Sequence, residues 1–364
     1  MKIAMVGTTG FSIPPTGYGG EVYVWWLTEA LCKLGHEVNL FASYGSNTPS
    51  KGKLIPLRRS YGDWREMIQT ENEVITTPYI RQELLNCDVV HDFSHNKQVA
   101  EYCYRHDKPC ISTLWGNTFN RPHPSYNMVC WSQAHKNVGV EGGTGYEGTS
   151  FAAQPSGKLN QTTEVVLGGV DTDYYNYNSR REPLFLWFSR AHPSKGLDIA
   201  LQLAKEMPEI ILVVSGSFTT SEDHVMYGNQ YLEQIKQIPN VKYIPMPINS
   251  THHEFKKGLY QKCSGLIFSV QYAESFGLIP VEAMSTGCPI IASDRGSMPE
   301  LISNGVNGFI CTDIDHYKSA IRNIMNGAIK SEDCRSYALK HFNMERVALD
   351  YIKLYERSIK GEKW

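Results

Sequence analysis

Two glutamates with seven residues between them flank a turn that is suited to binding an anion. Glu274 and Glu282 stand in the string AESFGLIPVEAM, which follows an apolar run from Cys263 to Val270. The run predicts a buried strand of a parallel sheet, and the following residues predict a short helix from Leu278 to Ser285. Backbone amides at a helix start attract anions. The amides expected to face such a ligand belong to Phe276, Gly277 and Leu278. A carboxylate on one rim of the turn and amides on the other suit a sugar hydroxyl and a diphosphate together.

A second group of charged residues follows another predicted strand. The string FSRAHPSKG comes after the apolar pattern Leu184 to Phe188. Arg190 and Lys195 flank the tight turn of this string, and Gly196 opens the next helical pattern. We call residues 189–196 the cation loop. Two cations at the carboxyl end of a strand suit a diphosphate whose negative charge grows as its bond to a sugar breaks. Taken without the glutamates, this loop is equally well explained as solvated surface charge.

Both strings resemble the motifs of one enzyme family. ESFGLIPVEAMSTGCPIIASDRGSMPELI resembles the E-x7-E signature of retaining GT-B glycosyltransferases, in particular glycosyltransferase family 4. The cation loop resembles the family's G-R-x-x-x-x-K-G motif, with Ser189 where glycine is usual. The resemblance is strong over residues 184–311 and weak over the preceding part of the chain.

This resemblance implies a role for each charged residue. Arg190 and Lys195 would hold the diphosphate of a nucleotide sugar. Glu282 would bind the ribose hydroxyls, and Glu274 would lie by the donor sugar. In one mechanism debated for the class, the departing diphosphate takes the acceptor's proton on the same face of the sugar. No protein nucleophile is then required.

A glycine-rich loop near the start of the chain is a weaker signal. The string GYGGE, which includes Gly19 and Gly20, precedes the first long helical pattern. It is not the dinucleotide-binding G-x-G-x-x-G pattern. It resembles the family's G-G-x-E loop, which implies that the amides of these glycines lie close to the donor phosphate and the acceptor. The alternative is a loop that merely needs flexibility.

Two histidines and a tryptophan are candidates for contact with the sugar or the acceptor. The family often has H-x-H where this chain reads HDFSH, so Phe93 replaces the second histidine and His95 follows it. Either His95 takes over that role or the sugar pocket is changed. We expect His95, on a loop past the strand, to face the sugar and His91 to pack at the strand end. Trp115 stands where the family often has histidine, and it either stacks on a sugar ring or fills space.

The sequence does not predict a metal site. Asp171 and Asp173 form a D-x-D pattern, but they lie where the family has a linker-like segment, and GT-B enzymes do not need a metal on such a pattern. His252 and His253 lack a matching set of ligands. We therefore expect no cofactor beyond the nucleotide sugar, which is a substrate.

The order of predicted elements indicates an α/β protein with two doubly wound domains. A strand at Lys2 to Gly7, a helical pattern and a strand at Glu37 to Ser43 begin the first domain. Further strands are predicted at 88–92, 109–114 and 128–131, and 138–157 reads as a mobile loop. The second domain is predicted to contain strands at 184–188, 210–215, 241–244, 266–270 and 290–293.

These elements correspond to the GT-B fold, in which two Rossmann-like domains face each other across a cleft. We predict an acceptor-side domain at 1–176 and a nucleotide-sugar domain at 177–343. The last helix, Met344 to Ile359, has an apolar stripe, and the resemblance implies that residues 344–364 cross back to the first domain.

Composition excludes several classes of protein. The 364 residues are 41% hydrophobic with a net charge of -2, which argues against nucleic acid as a partner. No apolar run reaches the roughly 18 residues that a membrane span needs, and the start lacks the pattern of a signal peptide. Nine scattered cysteines without a CxxC pair indicate reduced thiols in a cytoplasm. Peripheral membrane contact is left open.

The expected activity is transfer of a sugar from a UDP- or GDP-sugar to a hydroxyl of a glycan, lipid or small-molecule acceptor, with retention of anomeric configuration. Two alternatives share the fold: a nucleotide-sugar epimerase or glycan phosphorylase, and a non-catalytic sugar-binding module. The last of these would lose the cations, whereas Arg190 and Lys195 are both present.

Overall fold

The structure is a computed structural model that describes residues 1–14, 19–58, 64–115, 127–141, 159, 161–218, 222–247 and 252–364. The described residues form two compact units. The first contains those between 1 and 141, those from 159 to 170, and Asn343–Trp364, while the second is Asp171–Phe342. Each unit is built on its own parallel sheet.

The described part of the first unit has a seven-stranded sheet in the order β3-β2-β1-β4-β5-β6-β7. Its strands are β1 (Lys2–Val6), β2 (Glu37–Ser43), β3 (Gly52–Leu57), β4 (Val89–Asp92), β5 (Cys110–Thr113), β6 (Met128–Cys130) and β7 (Glu164–Val165). The helices between them are α1 (Gly19–Lys33), α2 (Trp64–Thr76), α3 (Pro78–Leu85), α4 (Gln98–Arg105) and α5 (Gln133–Glu141). Because Val6 pairs in register with Asp92, the loops that follow β1 and β4 leave the same edge of the sheet.

The second unit has six parallel strands among its described residues, in the order β10-β9-β8-β11-β12-β13. They are β8 (Glu182–Phe188), β9 (Ile211–Gly216), β10 (Val241–Pro245), β11 (Cys263–Phe268), β12 (Ile290–Ser293) and β13 (Gly308–Cys311). The helices are α6 (Leu197–Glu206), α7 (Glu222–Ile235), α8 (His252–Lys262), α9 (Leu278–Ser285), α10 (Met298–Leu301), α11 (Ile314–Met325) and α12 (Ser331–His341). Since β8 and β11 are neighbours, the cation loop and the loop that carries Glu274 leave adjacent strands.

The last helix, α13 (Met344–Ile359), belongs to the first unit and packs on α1 and β5. The side chain of Asn343 caps its start by accepting a hydrogen bond from the amide of Glu345. Its apolar stripe is buried, as the helical spacing of Val347, Tyr351 and Tyr355 predicts. None of the helices that the structure describes is long and apolar enough to cross a membrane.

Several features of the fold differ from the sequence prediction. Residues 138–141 were predicted to begin a mobile loop, but they lie in α5, and 142–157 are outside the described residues. The strand β3 was not predicted, because it contains Pro56 and lies at the sheet edge, where only Ile55 and Leu57 are buried. The helices α2 and α3 were also missed, since charged residues interrupt their apolar faces.

Candidate functional site

The cation loop is fastened to the end of the neighbouring strand β11. It contains a single 3-10 turn, Pro193–Lys195, and the Nδ1 atom of His192 accepts a hydrogen bond from the amide of Ser194. The amide of Gln271, past the end of β11, donates to the carbonyl of Ser194 at 2.7 Å. Gly196 has φ +69°, and a Cβ atom there would overlap the carbonyl of Ser269. Glycine is therefore required at the point where the loop turns into α6.

Lys195 and Glu274 meet in the structure. The Nζ atom of Lys195 lies 3.2 Å from Oε2 of Glu274, and the two side chains are only 12% and 15% exposed. Tyr272 joins them: its hydroxyl donates to the same Oε2 atom and accepts a hydrogen bond from Lys195. The ammonium group also lies over the Tyr272 ring, 4.4 Å from its centroid. Two residues 79 positions apart in sequence thus form one charged cluster with Tyr272.

The charges in this cluster shift one another's protonation. Burial lowers the pKa of Lys195, as does Arg190, whereas Glu274 opposes both. Burial raises the pKa of Glu274, but the charge of Lys195 and the hydroxyl of Tyr272 outweigh it, so this pKa lies below its ordinary value. Arg190 is exposed at the start of the loop. The cluster therefore carries one positive and one negative charge, with the exposed guanidinium of Arg190 beside it.

The loop that carries Glu274 is shaped by the turn after β12. Gly296, in the left-handed conformation at φ +56°, packs so closely on Glu274 that a Cβ atom would overlap its backbone. The amide of Ser297 donates to the carbonyl of Glu274 at 2.9 Å, and its hydroxyl donates to the carbonyl of Phe276 at 2.6 Å. Gly277, at φ +94°, is the N-cap of α9. The amides of Phe276, Gly277 and Leu278 consequently lie at the start of this helix.

Glu282 lies in a different environment from Glu274. Its side chain is 0% exposed, and its Oε1 atom forms an ion pair with Lys256 at 2.7 Å. The hydroxyl of Tyr260 donates to Oε2 at 3.0 Å. Both partners come from α8, so the carboxylate joins α8 to α9 inside the unit. A ribose contact by Glu282 remains a prediction, and it requires a ribose hydroxyl to reach a carboxylate that is fully buried here.

Gly20, in the first turn of α1, packs on Trp115, while residues 15–18 of the glycine-rich stretch lie outside the described residues. A Cβ atom on Gly20 would lie 3.2 Å from the Trp115 ring. The indole nitrogen donates to the carbonyl of Phe93, and the ring lies 5.3 Å from the Phe93 ring and 5.1 Å from that of Trp131. Trp115 thus fills space beside Gly20 and stays partly exposed. Its contact with a sugar or acceptor, and that of Gly19 and Gly20 with the donor, remain predictions.

His91 is a buried structural residue in this arrangement. It is 0% exposed, and both ring nitrogens have partners at 2.7 Å: Nδ1 with the hydroxyl of Tyr355 and Nε2 with that of Thr113. Burial lowers its pKa well below the ordinary histidine value, so the ring is neutral. The imidazole therefore fastens α13 to the carboxyl ends of β4 and β5.

His95 lies on the loop past β4 and is partly exposed. Its Nδ1 atom is 2.9 Å from Oε1 of Glu71, a residue of α2 whose side chain is fully buried. The same carboxylate accepts hydrogen bonds from the backbone amides of His95 and Asn96. One buried acidic side chain thus fixes both the loop and the imidazole, which leaves Nε2 as the ring nitrogen on the far side from Glu71.

Replacement of each histidine by alanine should separate their roles. We expect His91→Ala to lower the free energy of unfolding by about 1–3 kcal/mol, because the buried hydroxyl of Tyr355 loses its partner. We expect His95→Ala to keep the fold and to lower turnover about tenfold, as for one lost hydrogen bond to substrate. Urea unfolding and initial rates measure the two effects.

The affinity for UDP or GDP should be nearly unchanged in His95→Ala, since Arg190 and Lys195, which are predicted to hold the diphosphate, lie in the other unit. An inactive but fully stable His91→Ala, together with an active His95→Ala, would move the sugar contact to His91.

Three residues of these clusters were not predicted from the sequence: Glu71, Tyr272 and Lys256. Nothing in the sequence distinguishes Glu71 from the other acidic residues of α2. Tyr272 stands two positions before Glu274, which was the only available signal for it. Lys256 follows His252 and His253 in a helix for which no role was predicted.

The D-x-D pattern has a local structural role. Oδ1 of Asp171 accepts hydrogen bonds from the amides of Asp173 and Tyr174, both at 3.0 Å. This geometry is an Asx turn, which stabilises the chain where the second unit begins. Within the described ranges, no group of three or more histidine, cysteine or acidic side chains is arranged to hold a metal ion.

Comparison with known proteins relates the second unit to one family. Residues 176–341 match the model of the family described as glycosyl transferases group 1. Spore coat protein SA of Bacillus subtilis is 27% identical over 229 residues, in a match that covers 54% of this chain and 59% of that protein. The D-inositol 3-phosphate glycosyltransferase of Mycobacterium marinum is 26% identical over 219 residues, in a match that covers 54% of this chain and 45% of that enzyme. The chain thus spans about half the length of these curated relatives.

The whole chain also has a structural counterpart. The crystal structure of AviGT4, a glycosyltransferase involved in avilamycin A biosynthesis, superimposes with a TM-score of 0.72 at 20% identity. The match covers 100% of this chain and 99% of AviGT4. Two parallel α/β sheets of this kind and the structural neighbours identify the GT-B fold. Residues 176–341 therefore match the glycosyl transferases group 1 family, within a chain that has the GT-B fold.

Proposed function

We propose that the protein is a glycosyltransferase that moves a sugar from a UDP- or GDP-sugar to an acceptor hydroxyl with retention of the anomeric configuration. The observation that carries the proposal is the cluster of Lys195, Tyr272 and Glu274 at the carboxyl ends of adjacent strands. Ligands of parallel α/β sheets bind at this edge. The match of residues 176–341 to glycosyl transferases group 1 supports the same conclusion.

The chemistry follows from the charges of the cluster. Cleavage of the bond between sugar and diphosphate leaves negative charge on the diphosphate, which Lys195 and Arg190 would stabilise. Lys195 is nearly buried, so its charge acts in a region of low dielectric. Glu274 lies beside Lys195 and would accept a hydrogen bond from a sugar hydroxyl. The start of α9 supplies amides for a second anionic contact.

Retention fits a cluster without a positioned nucleophile. Glu274 is held by Lys195 and Tyr272, and its role as a hydrogen-bond acceptor does not require it to attack the sugar. The departing diphosphate would take the acceptor's proton on the same face. The acceptor would be a glycan, a lipid or a small molecule with a free hydroxyl.

A thermal-shift screen tests the donor. UDP-glucose, GDP-mannose and ADP-glucose are added to the wild-type protein, and a bound nucleotide sugar raises the melting temperature by mass action. At a concentration 100 times the Kd, binding contributes about 2.7 kcal/mol. No shift with any of these donors or their nucleoside diphosphates would contradict the proposal.

The reaction products then distinguish the related activities. NMR spectroscopy of the product reports the anomeric configuration of the new bond. Isomerised donor formed without acceptor would indicate an epimerase. Sugar phosphate formed from a glycan and free phosphate would indicate a phosphorylase. Donor binding without any turnover would indicate a sugar-binding module.

Chelation of divalent metals is expected to leave the transfer rate largely unchanged. The first carboxylate of the D-x-D pattern already accepts two backbone hydrogen bonds in its Asx turn. Initial rates are measured in excess EDTA and after addition of Mg²⁺ or Mn²⁺. Activity that is lost in EDTA and restored by either ion would return Asp171 and Asp173 to consideration as metal ligands.

A further inference from the structure

The hydroxyl of Tyr272 joins the two charged residues of the proposed donor site. It donates to Oε2 of Glu274 and accepts from Nζ of Lys195, which itself lies 3.2 Å from the same Oε2 atom. Three groups thus form a closed triangle of hydrogen bonds. The tyrosine is 6% exposed, so the triangle is shielded from water on that side.

The number of hydrogen bonds available to each group limits what remains for a ligand. A lysine ammonium has three N–H donors, and the triangle uses two of them. One N–H of Lys195 is left to reach a ligand. A carboxylate can accept at both oxygens, and the triangle engages only Oε2 of Glu274. The ring of Tyr272, 4.4 Å from Nζ, further limits the positions open to the ammonium group.

We propose that Tyr272 is a positioning residue: its hydroxyl holds Lys195 and Glu274 so that the third ammonium hydrogen faces the donor diphosphate and Oε1 faces the donor sugar. This inference rests on the proposed function, because it concerns the groups assigned there to the donor. Tyr272 contacts no reacting atom in this scheme. Its effect on the reaction passes through the two charged residues that it orients.

Removal of the hydroxyl has a predictable electrostatic effect. The groups facing the Glu274 carboxylate are Lys195, Tyr272 and Arg190, and together they outweigh burial and lower its pKa. Without the tyrosine hydroxyl this pKa rises toward its ordinary value, because a hydrogen bond to the charged form is lost. Glu274 must be ionised to hold Lys195 and the sugar. As the pH is lowered, kcat/KM of a variant without the hydroxyl should therefore begin to fall at a higher pH than kcat/KM of the wild type.

The test compares Tyr272→Phe with a matched control. Phenylalanine keeps the ring, its burial and its contact with the ammonium group. Tyr231→Phe is the control, since the Tyr231 hydroxyl donates to Asp198 at 2.8 Å in the same unit and neither residue belongs to the cluster. With the donor that the wild type uses, we expect Tyr272→Phe to lower kcat/KM about 10- to 100-fold, as for one lost hydrogen bond to a charged group. The acid limb of its pH profile should move to higher pH, whereas Tyr231→Phe should match the wild type.

A titration without substrate separates this inference from the proposed function. Carbon-13 NMR of the glutamate side chains follows ionisation of Glu274 in the donor-free proteins, with Glu274→Gln used to assign the signal. We expect a higher pKa for Glu274 in Tyr272→Phe than in the wild type and in Tyr231→Phe. An unchanged pKa, or a Tyr272→Phe variant with the wild-type rate and pH profile, overturns the inference. An inactive wild type with the expected NMR shift would instead contradict the proposed function.

Discussion

Replacement of Lys195 by alanine is expected to lower turnover about 100- to 1,000-fold while the fold is retained. The ammonium group is held in place by Glu274 and Tyr272, so it needs little reorganisation when charge develops on the diphosphate. Loss of one such prepositioned donor costs roughly 2.7–4 kcal/mol of transition-state stabilisation. Initial rates with UDP-glucose, GDP-mannose and ADP-glucose measure the effect.

The fold of this variant is checked by circular dichroism and by its melting temperature. Glu274 keeps a hydrogen bond from Tyr272 in Lys195→Ala, which limits the cost of leaving a buried carboxylate without its cation. Lys205→Ala is the matched control, because Lys205 is exposed in the last turn of the helix that follows the same loop. A Lys195→Ala enzyme with the wild-type rate for every usable donor would show that Lys195 does not stabilise the leaving group.

Glu282→Ala is expected to lower the free energy of unfolding by about 3–5 kcal/mol. The substitution leaves the ammonium group of Lys256 buried without its counter-ion, because the Lys256 side chain is only 9% exposed and its partner oxygen lies at 2.7 Å. The hydroxyl of Tyr260 loses its acceptor as well. Urea unfolding followed by circular dichroism measures the loss.

Two further variants test whether the loss of stability in Glu282→Ala comes from the broken ion pair. Glu254→Ala breaks the exposed pair between Glu254 and Lys257 in the same helix, and such surface pairs contribute about 0–1 kcal/mol. The double variant Glu282→Leu with Lys256→Met removes both charges and should recover most of the lost stability. If the free energy of unfolding falls no more in Glu282→Ala than in Glu254→Ala, the buried ion pair does not stabilise the fold as proposed.

The near-isosteric variant Glu282→Gln examines the predicted ribose contact. A charge-assisted hydrogen bond to a ribose hydroxyl contributes roughly 1.5–3 kcal/mol. Titration calorimetry with UDP and GDP should therefore show a weaker affinity in Glu282→Gln than in the wild type, because the neutral amide makes a weaker bond to the ribose. An unchanged affinity would assign Glu282 to the ion pair alone.

Local patterns in the sequence determined the elements that carry the proposed site. The helix α9 begins and ends where the sequence predicts, because Gly277 and Gly287 mark its two ends. The extent of α13 also agrees, since its apolar residues recur at helical spacing between Asn343 and the polar residues at its end. Lys195 and Glu274 could be identified as candidates from their sequence motifs, since each lies in a short loop after an apolar strand.

Tertiary structure decided which side chains meet. Tyr272 is one of 21 tyrosines, and only the adjacency of β8 and β11 places its hydroxyl on Lys195. Glu71 contacts His95 because α2 packs beneath the loop after β4, and Glu282 pairs with Lys256 because α8 lies against α9. Periodicity records which face of an element is buried, but it does not record which neighbour covers that face. A buried carboxylate is stable only beside a partner of opposite charge or a hydrogen-bond donor. That partner comes from another element, and its identity is set by the packing of the whole unit.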